Sequence, residues 1–147
     1  MKKPKQPPAY YICATIDIFE IQVLFLVGDF DECCKLVEEN RAKTYTGPKV
    51  SDDLRTAKER IDTDSKDWNG YRAFTTKAGP GIVIYAPKPI TLSTLVHEIS
   101  HAVDGILHIT GADDEELRAY LCGYLFTELA AKDDNIIKPL SGNPAGK

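Results

Sequence analysis

A chain of 147 residues, 43% of them apolar, has the size of one domain and enough apolar side chains for a sizeable core. Its formal net charge of −4, without a large basic block, argues against a nucleic-acid binder. No apolar span of about 18 residues exists for a membrane helix, and Pro4, Pro7 and Pro8 stand where a signal peptide would need an apolar run.

Residues 1–9 are rich in Pro and Lys and are expected to form a disordered tail. Two strands follow, Tyr11–Ile16 and Phe19–Val27. In the second, Phe19, Ile21, Val23, Phe25 and Val27 alternate with Glu20 and Gln22, the period of a half-buried strand. Asp29, with Glu32 three residues on, has the form of a capping box. The helix it opens is expected to run to about Asn40 and to bury Cys33, Leu36 and Val37. After a loop over 41–50, Ser51 caps a short helix, Asp52–Ile61, whose sparse apolar stripe (Leu54, Ala57, Ile61) places it on the surface. Asp62–Gly70 reads as a polar loop anchored by Trp68. Strands over Tyr71–Lys77 and Gly81–Ala86 are joined by the turn composition Ala78-Gly79-Pro80-Gly81.

Thr91 or Ser93 opens a largely buried helix to about Leu107, and Gly111 ends it. Asp113 or Asp114 opens a last helix to about Ala131, apolar nearly all round and so expected to be buried. One domain is therefore expected over 10–131, with a flexible tail at 132–147. The cysteines, Cys13, Cys33, Cys34 and Cys122, form no C-x-x-C pair, and adjacent cysteines rarely bridge each other. They read as reduced thiols of a cytoplasmic protein rather than as zinc ligands.

Chemistry concentrates in His97-Glu98-Ile99-Ser100-His101, an H-E-x-x-H motif on the first of these two helices. Histidines four apart lie one turn apart on one helical face and can reach one metal ion. Glu98 is placed as general base toward a zinc-activated water. A catalytic zinc takes three protein ligands. The candidates for the third are Asp113, Asp114, Glu115, Glu116, His108 and Glu128, with His108 too far along the helix axis to share the ion with both histidines. Glu116 has a structural alternative, completing a capping box with Asp113. Asp104 is either a hydrogen-bond partner for a ligand imidazole or a solvated acid. Tyr120 is either an oxyanion donor or a packing aromatic, and Gly123 would permit close helix approach. Trp68, Tyr71 and Arg72 are candidates for a substrate cleft or for simple anchoring.

The order of strand, H-E-x-x-H helix, short turn and glutamate-bearing helix over residues 81–127 resembles the minimal zincin fold of the gluzincin type. Glu116-Leu117-Arg118-Ala119-Tyr120 is similar to the E-x-x-A pattern of the ImmA/IrrE-like metallopeptidases. The segments TLVHEISHAVDGIL and DDEELRAYLCGYL resemble small zincin-like proteins encoded by bacteriophages and prophages. The resemblance implies an α+β fold, a small mostly antiparallel sheet packed on the motif helix and a buried C-terminal helix. It implies a zinc site of His97, His101 and Glu116, with Glu115 as fallback, and Glu98 as the catalytic residue. The ImmA/IrrE helix ending and an attached helix-turn-helix are absent, so a repressor-cleaving role is not implied. Two functions follow as expectations. One is a zinc-dependent peptidase, with an extended substrate paired along Gly81–Ala86 as an edge strand. The other is a non-catalytic binding or host-takeover factor on the same scaffold, which the short chain favours because little is left for a second cleft wall. Neither involves nucleic acid or membrane, and phage origin would place the protein in the bacterial host cytoplasm.

Overall fold

The computed structural model describes residues 9–39, 50–64, 73–78, 81–88, 90–112 and 114–132. Of the tails expected over 1–9 and 132–147, all but Ala9 and Lys132 lie outside the described residues, as do Trp68, Tyr71, Arg72 and Asp113, and Lys132 belongs to the last helix. The fold is mixed α+β. Strands β1 (Tyr10–Ile16) and β2 (Ile21–Val27) form an antiparallel hairpin, with Tyr10 opposite Val27 and Ile16 opposite Ile21. β2 starts two residues later than its alternation suggests. Asp17–Phe19 winds into one 3-10 turn, and Glu20 closes it in the left-handed region at φ 55°.

Helices α1 (Phe30–Glu39) and α2 (Val50–Asp64) come next, then strands β3 (Phe74–Ala78) and β4 (Gly81–Ala86). The sheet order is β1-β2-β4-β3, with β4 parallel to β2 and antiparallel to β3. Gly81–Ala86 is therefore an interior strand. The edge strand expected there is instead β3, which the chain lays outside β4 through the tight Ala78–Gly81 pairing.

Both faces of the sheet are covered. Ala14, Val23, Phe25, Ile82 and Ile84 face the motif helix α3 (Leu92–Thr110) and the last helix α4 (Glu115–Lys132). Leu24, Leu26, Val83 and Tyr85 face α1 and α2. β2 is thus buried on both sides rather than half-buried, because helices cover both faces of an interior strand, and from Val23 to Val27 every residue is apolar and buried. α2 packs into this second core through Val50 and Leu54, both buried, and so is not a purely surface helix. On that side the Tyr85 hydroxyl donates to the Gly28 carbonyl at 2.6 Å, and its ring meets Phe30 edge-on at 5.2 Å.

The helix ends follow local chemistry. Asp29 Oδ2 accepts from the Glu32 N–H at 3.1 Å, as expected of a cap. The Glu32 carboxylate does not close the box. It accepts from the Ala9 N–H at 3.3 Å instead, tying α1 to the chain just before β1. Thr91 Oγ1 accepts from Thr94 N–H at 3.1 Å and starts α3, which runs to Thr110 and ends on left-handed Gly111 at φ 72°. Asp114 Oδ1 accepts from Glu116 N–H at 2.9 Å and starts α4. α4 buries one face, Leu121, Leu125 and Leu129, while Tyr120 stays 63% exposed. The all-round burial expected of this helix does not occur, because α3 and β1 cover a single side of it among the described residues.

Candidate active site

α3 carries the motif along the cleft between itself and edge strand β3. Its buried side is Leu95, Ile99, Ala102, Val103 and Ile106, pressed on the sheet. That packing fixes the helix rotation and leaves His97 and His101 on the open side. Gly105 lies where a Cβ would come within 2.9 Å of Ile82 Cδ1, so the missing side chain lets α3 lie close to β4 beneath the site.

The two imidazoles converge. His97 Nε2 and His101 Nε2 are 3.1 Å apart, and the rings meet edge to face at 80°. Two nitrogens on a tetrahedral zinc at the usual bond length stand about 3.3 Å apart. The separation of the donor pair is close to that spacing. The His97 side chain is 67% exposed, so an ion has an open approach.

Glu98, next to His97 on the helix, also reaches into the cleft and is only 5% exposed. Its Oε1 accepts from the Thr75 hydroxyl of β3 at 2.8 Å, and the same hydroxyl lies 3.1 Å from the Glu98 backbone oxygen. Oε2 stands 4.0 Å from His97 Nε2. A buried carboxylate is expensive without donors, and Thr75 supplies one while fixing which oxygen faces the histidines. Thr75 was not foreseen among the site residues. It lies 23 residues upstream, and strand pairing alone brings it to the motif.

A cavity of about 430 Å³ joins these groups, bounded by His97, Glu98 and His101 on one side and Thr75 and Lys77 on the other. His108 also lines it. Its place in the last turn of α3 matches the end-of-helix reading, and its carbonyl takes the Gly111 N–H at 3.4 Å. Residues 97, 101 and 108 share one helical stripe, a signal already present in the spacing.

The remaining candidates stand elsewhere. Glu116 and Glu115 are exposed in the first turn of α4 and do not line the cavity. With Asp114 as the cap, Glu116 is the second helical residue, so it does not take the capping-box position that Asp113 would give it. Asp104 pairs with Arg118 of α4 rather than with an imidazole. Because α4 folds back along α3 with Arg118 beside Asp104, Glu116 lies about 7 Å further along the axis than His101. Glu128 pairs with Lys132 at 3.4 Å. Tyr120 stacks on Tyr124 at 6.1 Å, outside the cavity. Gly123 is exposed with open space around it, so it does not serve the approach of α3 and α4. Among the described residues, no group of three or more His, Cys, Asp or Glu side chains is gathered closely enough to hold one ion.

All four cysteines are free thiols, with Cys33 and Cys34 buried and Cys13 and Cys122 half-buried. No described helix is long and apolar enough to cross a membrane. No protein-family model, curated protein or solved structure matches the chain.

Proposed function

We propose that the protein is a zinc-dependent peptidase. The observation that carries this reading is the pair of Nε2 atoms 3.1 Å apart, with a buried carboxylate beside them in one cavity. A structural zinc site has no need of Glu98, which is costly to bury and is held by a dedicated hydroxyl. His97 and His101 would hold the ion, and Glu116, about 7 Å further along the axis, would have to close on it to serve as the third protein ligand. A zinc ion held there would supply Lewis-acid polarisation of a peptide carbonyl and a water of lowered pKa. Glu98 takes the proton at Oε2, the oxygen on the His97 side, while Thr75 keeps Oε1 in place. Glu98 then delivers that proton to the leaving amine. An extended substrate lies along β3, the edge strand bordering the cavity, where strand addition would align its backbone. Four free thiols suit a reducing cytoplasm, including that of a bacterium hosting a phage.

The absence of a third donor near the histidines among the described residues favours a second reading, a non-catalytic binding protein on this scaffold. One experiment separates them. Purified protein is analysed for metal and assayed on unstructured protein substrates, beside His97→Ala and Glu98→Gln. The peptidase reading expects about one zinc per chain, lost in His97→Ala and retained in Glu98→Gln, with hydrolysis absent from both variants. Full hydrolysis by Glu98→Gln removes Glu98 from the reaction. Zinc retention without hydrolysis by the wild type gives the second reading.

A further inference from the structure

The cavity at the histidine pair continues past the edge of the sheet. A second groove of about 370 Å³ shares Thr76 and Lys77 with it and extends over α2, where Arg60 and Asp53 line it. The charges here are unbalanced. On the other side of α2, Arg55 pairs with Asp31 at 3.4 Å and Lys58 with Asp62 at 2.6 Å. Arg60 and Lys77 are exposed and make no ion pair among the described residues, although Asp53 lines the same groove. Among the described residues that line the groove, two cations stand against one carboxylate, a net positive charge.

Its position relative to the chemistry follows from strand geometry. Thr75 and Lys77 are two residues apart on β3, so their side chains leave the same face about 7 Å from each other. Thr75 holds Glu98. A peptide extended along β3 with its scissile bond at Glu98 would therefore bring a side chain about two residues away to Lys77. We propose that this groove is a specificity subsite for a carboxylate, an Asp or Glu side chain about two residues from the scissile bond. The placement rests on the peptidase reading, whereas the recognition of a carboxylate rests on Lys77 and Arg60. An acidic side chain there meets two cations that, among the described lining residues, only Asp53 opposes, while its neutral amide isostere gains only ordinary hydrogen bonds.

The test uses the full chain carrying Glu98→Gln, which binds without cleaving. Two fluorescein-labelled peptide pools serve as probes, identical except for Asp or Asn at one fixed central position, and binding is read by anisotropy. The Asp pool should bind about fivefold more tightly, the size of one or two partly screened charge pairs. The preference should shrink as salt is raised and vanish in Lys77→Gln/Arg60→Gln, whose thermal unfolding should match that of the parent. Equal binding of the two pools, or no binding of either, overturns the subsite. Incubating both pools with the wild-type chain keeps the two readings apart. Asp-selective binding without cleavage sinks the peptidase reading and leaves the subsite standing. Cleavage without Asp preference does the reverse.

Discussion

In the proposed peptidase Glu98 is the residue on which the chemistry would turn, and its environment is unusual for a helical glutamate. It is buried where most glutamates are solvated, and the hydroxyl of Thr75 donates to it from a separate strand. Thr75→Val keeps the shape of the side chain and removes that donor. The carboxylate would then lose its fixed orientation, so hydrolysis should fall at least tenfold while zinc content stays at the wild-type level. Leaving a buried polar atom without its partner should also cost about 1–3 kcal/mol of stability, read by denaturant unfolding. Thr75→Ser should restore both. A Thr75→Val protein as stable and as active as wild type would show that this hydrogen bond does not hold Glu98.

Among the elements, the first turn of α4 decides the metal assignment. Asp114, the cap, and the Arg118–Asp104 ion pair fix where that turn sits along α3. Asp114→Ala should cost about 1 kcal/mol in thermal or chemical unfolding, as a lost cap does. Glu116 lies outside the capping-box position, so Glu116→Gln should leave stability without zinc almost unchanged. If Glu116 ligates, zinc affinity should fall strongly in Glu116→Gln, and the zinc-dependent rise in Tm should fall with it. A zinc titration of Glu116→Gln that overlays the wild type would move the third ligand to Glu115 or another acid.

The described residues form three layers, a helical pair on each face of a mixed sheet, and the two cores have separate tasks. The core under α3 and α4 presents the motif, while that under α1 and α2 holds the aromatic cluster and the buried cysteines. Burial pushes the Cys33 thiol up to about 12 from an ordinary 9.0, with adjacent Cys34 and the nearby acids adding to the rise. In the unfolded chain the thiol ionises near its ordinary value, while in the fold it stays protonated. The unfolded state therefore binds fewer protons across that interval, and stability must fall as pH rises from 9 toward 12. A Tm series over this range should decline, and Cys33→Ser should flatten part of the decline. Equal slopes in the two proteins would remove Cys33 as a cause. Burial also raises the Cys34 thiol, so both should resist a thiol reagent at pH 8 until the protein unfolds.

Features that depend on near neighbours in the chain were legible in the sequence alone. The cap at Asp29, the choice of Thr91 or Ser93 and of Asp113 or Asp114 for the next two, the stop at Gly111, strand Gly81–Ala86 and the pairing of the histidines on one helical face all follow from side chains within one helical turn or from simple periodicity. The structure settles the caps on Thr91 and Asp114. Strand order is different, because it depends on which surfaces pair across distances that no local pattern encodes. The tertiary structure alone put β4 inside the sheet and β3 at its edge, and so buried β2 on both faces. Thr75 on Glu98, and Lys77 with Arg60 beside the cavity, depend on the same choice. The register of α4 on α3, set by packing of Leu121, Leu125 and Leu129 and by the Arg118–Asp104 pair, is likewise tertiary. It places Glu116 beyond His101 along the axis of α3, although the spacing between them in sequence would allow either arrangement.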